Sequence, residues 1–188
     1  MANEKNNILK LLIEHQEQRP SIRKIAKIRK INYKSAYQAL QKLHQEKIID
    51  IIKYGNTSLC QFNLHFNSSV YTIEYSRRED LFKNKNFKVI HDRLSNTPSQ
   101  FILLLFGSYA KKTQTSHSDI DLLLITNSPQ EIESKLNLLP LNIHLTSITY
   151  NNFTTMLKSK EFSVVSEAIK KNIILFGIED YYRLINHA

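Results

Sequence analysis

A chain of 188 residues with an apolar fraction of 41% can bury one ordinary core or two small ones, and it holds no run near the ~20 apolar residues of a bilayer span, which argues against a membrane protein. Its one cysteine, Cys60, rules out an intramolecular disulfide and a cysteine-built zinc site; the polar start from Met1 to Lys10 lacks a signal-peptide pattern, so a cytoplasmic location is expected. The formal net charge of +9 is uneven: residues 1–66 carry 12 Lys/Arg against 5 Asp/Glu and residues 67–188 carry 14 against 12, which concentrates attraction for polyanions in the first third unless those charges simply form a solvated face.

Between Asn3 and His15, Ile8, Leu11 and Leu12, with Leu9 and Ile13 to one side, fall at helical spacing, and Arg19-Pro20 ends the run. Ser21 can cap a second helix, in which Ile22, Ile25, Ala26 and more loosely Ile28 form one face among Arg23, Lys24, Lys27, Arg29 and Lys30. Asn32 marks a break. A third helix starts at Tyr33 with Ala36, Leu40 and Leu43 as its apolar stripe, leaving Lys34, Ser35, Tyr37, Gln38, Gln41 and Lys42 outward; Tyr33 and Tyr37 read as partly core. The period then changes. Ile48, Ile49, Ile51 and Ile52 lead through Lys53-Tyr54 to Gly55-Asn56, after which Leu59, Phe62 and Leu64 alternate with polar residues, the pattern of a hairpin in which Cys60 is a packing residue.

Three helices and a hairpin in this order resemble the winged-helix family over roughly residues 3–65. The resemblance implies a module for double-stranded DNA, with the hairpin as the wing. On the third helix Lys34, Ser35, Tyr37, Gln38, Gln41 and Lys42 mix phosphate-contacting types with Gln side chains that read base edges, and Lys53, with Tyr54 and Asn56, would reach the backbone from the wing. The module is also used for protein contacts, and its members often dimerise to read two half-sites, so a homodimer is a further expectation.

Residues 67–96 are polar with scattered apolar positions from Val70 to Leu94, suiting a helical connector that Thr97-Pro98 ends. Phe101 to Phe106 is an unbroken apolar run bounded by Gly107, as in a strand buried on both faces; Asp121 to Thr126 is a second such run and Leu141 to Ile148 a third candidate strand. The tail from Asn151 to Ile185 reads as helix, short strand around Ile173 to Phe176, and helix. The expected organisation is residues 1–66, a connector at 67–96, and a second domain at 97–188.

Phe106-Gly107-Ser108-Tyr109-Ala110, followed by Ser118-Asp119-Ile120-Asp121-Leu122, carries the chemistry. Gly107 ends a buried strand where a missing side chain lets backbone amides approach a phosphate, and Ser108 adds a hydroxyl donor; Lys111 and Ser118 flank the same loop as candidate nucleotide contacts. Because strand side chains alternate, Asp119 and Asp121 leave one face while Ile120 turns into the core. Two carboxylates beside a phosphate cradle can hold Mg²⁺ on a nucleoside triphosphate.

This arrangement resembles the DNA polymerase β-like nucleotidyltransferase superfamily, in particular its minimal branch, over about residues 86–180. The resemblance implies transfer of a nucleoside monophosphate, usually AMP from ATP, to a hydroxyl or phosphate, with pyrophosphate leaving. The fold class that follows is α/β with two domains: an N-terminal winged helix and a C-terminal α+β nucleotidyltransferase fold with a small mixed sheet. Two departures stand out. Family members often carry Gly where this chain has Lys112, and active members carry a third carboxylate on a later strand, where this chain has Asn142 or His144. His144 has an ordinary pKa of ~6.5 and suits a catalytic base, yet it cannot replace a carboxylate's charge; the other reading is a strand histidine without a catalytic role. Two functions therefore stay open: a DNA-associated nucleotidyltransferase, or a DNA-binding regulator of antitoxin type whose transferase domain is silent.

Overall fold

The computed structural model describes residues 2–159 and 163–186. The chain divides into two compact units, Met1–Ile73 and Glu74–Ala188, with the boundary inside one helix.

The first unit runs α1 (Ala2–Glu14), α2 (Ile22–Arg29), α3 (Tyr33–Gln45), β1 (Ile49–Tyr54), β2 (Thr57–Phe62) and the start of α4 (Ser68–Leu81). Polar caps start two of these helices. The Ser21 hydroxyl accepts from the Lys24 N–H at 3.2 Å and the Asn32 side chain from the Ser35 N–H at 2.8 Å, caps that stabilise a helix by ~1 kcal/mol each. The Asn32 break is thus a helix start. The buried face of α1 is Ile8, Leu9, Leu12 and Ile13; Leu11, expected on the stripe, is only half-buried because the face is centred one position away. Ile25, Leu40, Leu43 and Ile48 complete the core.

β1 and β2 pair antiparallel across the two-residue loop Gly55-Asn56, where Gly55 at φ 55° supplies the positive angle a tight hairpin needs. The inward residues of β2 are Cys60 and Phe62. Leu59 is half-buried and bridges Ser21 beside the hairpin, and Leu64 lies beyond the strand end. Tyr33 and Tyr37, expected partly in the core, are exposed and stack on each other at 6.2 Å between ring centroids.

The second unit holds the rest of α4, then α5 (Lys85–Leu94), β3 (Ile102–Leu105), α6 (Gly107–Lys111), β4 (Ile120–Ile125), α7 (Gln130–Asn137), β5 (Ile143–Ile148), α8 (Tyr150–Ser159), α9 (Val164–Lys170), β6 (Ile173–Phe176) and α10 (Ile178–Asn186). Residues 160–162, within the first helix expected of the tail, lie outside the described residues, and the described part of that segment forms two helices, α8 and α9. The strands form one mixed sheet in the order β5-β4-β3-β6: β4 and β5 run parallel, and β3 is antiparallel to both its neighbours. Leu103, Leu105, Ile120, Leu122 and Leu124 share a core with Phe87, Ile90 and Leu94 of α5 and Ile132 and Leu136 of α7. The intervening Ile102, Leu104, Leu123 and Ile125 are equally buried, and α9 and α10 pack on β4 and β3, so the sheet is covered on both faces. The segment 67–96 therefore divides: Val70 and Ile73 are buried in the first unit, whereas α5 is a layer of the second.

One buried polar cluster ties the second unit together. Glu74 accepts from the Arg77 guanidinium at 2.5 Å and from the Tyr182 hydroxyl at 2.6 Å, and Arg77 also donates to the Asn172 carbonyl at 2.5 Å. Glu74 and Arg77 are almost fully enclosed, and a charge so placed survives only when paired and hydrogen-bonded.

Candidate functional site

Strand β3 delivers the chain to Gly107, which turns at φ 66° into the single short helix α6. The Phe106 N–H donates to the Asp121 carbonyl at 3.0 Å, holding this turn against β4. A side chain at position 107 would bring its Cβ to 2.8 Å from Asp121 Cγ and nearer still to Oδ2. Gly107 is required twice, for its backbone angle and for the space the Asp121 carboxylate occupies. The helix closes on Lys112 at φ 59°, a lysine in the left-handed conformation for which glycine is the usual residue.

A tight turn follows, in which the Thr115 N–H donates to the Ser118 hydroxyl at 2.8 Å and the Ser118 N–H to the Thr115 carbonyl at 3.2 Å. It feeds Asp119, exposed, into β4, where Ile120 is buried and Asp121 half-buried: the alternation of an extended chain puts both carboxylates on one side. The parallel register then fixes what faces them. Asp121 pairs with His144, and the His144 Nδ1 lies 3.2 Å from Asp121 Oδ1. One step back, the Asn142 amide donates to the Asp119 carboxylate. An imidazole and a neutral amide thus border the two acids.

Gly107, Asp119, Asp121 and His144 are brought together. Ser108 is half-buried at the start of α6, with its carbonyl accepting from the Thr113 N–H. Ser118 is engaged in its own turn. The Lys111 ammonium sits 2.7 Å from the Glu167 carboxylate of α9, a partner 56 residues on that no local sequence signal announces. Among the described residues, no three His, Cys, Asp or Glu side chains gather into a metal-binding group of their own. The donor set that is present, two carboxylates on one side, matches what Mg²⁺ ordinarily takes from a protein when phosphates fill its remaining positions.

In the first unit, Lys34, Tyr37, Gln38 and Lys42 are exposed on α3, Ser35 and Gln41 are half-buried, and Lys53 is exposed on β1. Tyr37, Gln38, Gln41, Lys42 and Gln45 line one shallow depression. Another joins Arg23 of α2 and Tyr33 of α3 to Asn56, Thr57 and Ser58 of the hairpin; Arg23 and Thr57 carry no periodic signal that would single them out.

A small mixed sheet whose inner strand ends in a Gly-Ser turn against two carboxylates on the next strand defines a nucleotidyltransferase-type domain. The family model described as Polymerase beta, Nucleotidyltransferase matches residues 88–181, half of the chain, and the chain belongs to that family. Among solved structures, a toxin-antitoxin with AMP-PNP is similar with a TM-score of 0.39 and 22% identity, covering 53% of this chain and 80% of that one. TrmBL2, an archaeal chromatin protein described as showing a novel mode of DNA binding, has a TM-score of 0.24 and 14% identity, covering 83% and 75%. No curated protein matches the chain.

Proposed function

We propose that the second unit binds a nucleoside triphosphate, by family preference ATP, together with Mg²⁺ held by Asp119 and Asp121, and transfers the nucleoside monophosphate to an acceptor. The observation that carries this reading is the seat of the Asp121 carboxylate against Gly107, which joins the acid to the turn where phosphates would lie. Mg²⁺, when bound, supplies neutralising charge to the phosphates. The chain supplies the rest: backbone N–H groups and the Ser108 hydroxyl at the turn, and an imidazole at His144 able to take the proton of an attacking hydroxyl. In the transfer an acceptor oxygen bonds to the α-phosphorus, the bond to the bridging oxygen breaks, and pyrophosphate leaves.

The first unit, in this proposal, is a winged helix that brings the protein to duplex DNA. The exposed face of α3 supports it, with Lys34 and Lys42 suited to phosphates and Gln38 and Gln41 to base edges, as does the net +7 of residues 1–66. Incubation of the protein and Mg²⁺ with each α-labelled nucleoside triphosphate and cell lysate tests the transferase: label should pass to one acceptor with one nucleotide, and Asp121→Ala should abolish it.

Asn142 and His144 favour a second reading, since they stand where active members place a third carboxylate. In it the protein is a DNA-binding regulator of antitoxin type with a silent transferase domain. Nucleotide binding without label transfer to any acceptor selects this reading.

A further inference from the structure

We infer that the first unit prefers DNA carrying an unpaired base to a fully paired duplex, and that this base stacks on Tyr33 in the depression between α2, α3 and the hairpin; this rests on the DNA-binding reading of that unit. Tyr33 and Tyr37 are 51% and 43% exposed, so two large rings meet solvent side by side on one helix. They stack on each other with centroids 6.2 Å apart and 20° between ring planes, as residues one helical turn apart can. Tyr33 lines the depression beside the hairpin and Tyr37 the one farther along α3, so the pair divides the two. Each depression is lined by one cation, Arg23 or Lys42, and by no acid, which suits a phosphodiester strand.

Shape and lining together select an unpaired base. A recognition helix reads paired bases by entering a groove and meeting their edges, because each base face is covered by the next pair. A depression cannot enter a groove; it takes a group that projects from the DNA. A phosphate projects too, but it gains nothing from an aromatic face, which carries the negative side of the ring quadrupole. The depression beside the hairpin holds about 310 Å³, at the small end of the ~300–1,000 Å³ of small-ligand sites, which is room for a single base and not for a duplex. Tyr33 offers a ring face to the face of that base, while Asn56, Thr57 and Ser58 bring amide and hydroxyl groups to its hydrogen-bonding edge. Tyr54, 77% exposed, stands opposite the lining residue Thr57 in the hairpin register and adds a third ring at this end of the unit.

The test measures binding of the full chain to three labelled DNA duplexes alike except at one position: fully paired, with one extra unpaired adenine, and with an abasic sugar in place of that adenine. The abasic duplex keeps the same phosphates and the same interruption of the helix but has no ring to stack. The unpaired adenine should tighten binding over the abasic control by about five- to a hundredfold, the scale of one base–aromatic stack. Tyr33→Leu should remove that gain and Tyr33→Phe should keep it, with the fully paired duplex bound alike by the parent protein and both variants, which also shows that they are folded. Equal binding of the adenine and abasic duplexes, or a gain that survives Tyr33→Leu, overturns the inference, and binding of the paired duplex then leaves the DNA reading standing. No binding of any of the three duplexes at low salt overturns both.

Discussion

The Asp121 carboxylate fills the space where Gly107 would carry a side chain, so the turn after β3 and the acid on β4 are one unit of structure. Gly107→Ala must both strain a backbone at φ 66° and push that carboxylate aside. The strain alone costs about 1–2 kcal/mol. Thermal melting should show the loss of stability, and calorimetry should show nucleotide binding with a divalent ion weakened at least as much as by Asp119→Ala. An alanine variant that binds as well as the parent protein contradicts the geometry.

Lys112 adopts a left-handed angle that costs a non-glycine residue about 1–2 kcal/mol, against the ~0.5–1 kcal/mol that glycine loses in chain entropy. Lys112→Gly is therefore expected to stabilise the second unit by a few tenths to about 1 kcal/mol. Chemical denaturation followed by a probe in that unit checks it, and a destabilised variant would show that the lysine side chain contributes more than its backbone costs.

Removing one partner of the enclosed pair Glu74 and Arg77 leaves an unpaired charge. Glu74→Ala also takes the acceptor from Tyr182, so a loss of about 3–5 kcal/mol is expected. Replacing both by apolar residues of similar volume, Glu74→Leu with Arg77→Met, leaves no unpaired charge and should cost less than the single change, with the loss of the Tyr182 and Asn172 hydrogen bonds remaining. Denaturant midpoints of the single and double variants make the comparison.

Burial holds the phenols of Tyr181 and Tyr182 above their ordinary value, with the Glu74 carboxylate adding to the effect at Tyr182. The fold keeps protons that the unfolded chain releases near pH ~10, so this contribution to stability is whole below that pH and declines above it, by up to ~1.4 kcal/mol per pH unit for each phenol. In the first unit, burial pushes the Cys60 thiol up to about 11, and its contribution declines likewise as pH rises above ~9. Tyrosine absorbance during an alkaline titration should show two of the nine tyrosines ionising only as the second unit unfolds.

Much of the site was legible because it is local. Gly107, Ser108, Asp119 and Asp121 lie within fifteen residues of one another, and strand alternation alone puts both acids on one side. The caps at Ser21 and the hairpin turn at Gly55-Asn56 are local for the same reason. What escaped depends on contacts distant in sequence. The Lys111 pairing with Glu167 requires α9 to fold back toward α6, the inward face of β2 depends on its register with β1, and the exposure of Tyr33 and Tyr37 depends on which side of α3 meets α1 and α2. The second role of Gly107, making room for Asp121, is likewise invisible until β3 and β4 are paired.

Calorimetric titration of ATP into the full chain, with Mg²⁺ and with Mn²⁺, against Asp119→Ala and Asp121→Ala variants shown by circular dichroism to be folded, bears most directly on the nucleotide site. Ion-dependent binding that either substitution abolishes is the expected result. Binding that is absent in the parent protein with both ions, or that survives the loss of both carboxylates, contradicts it.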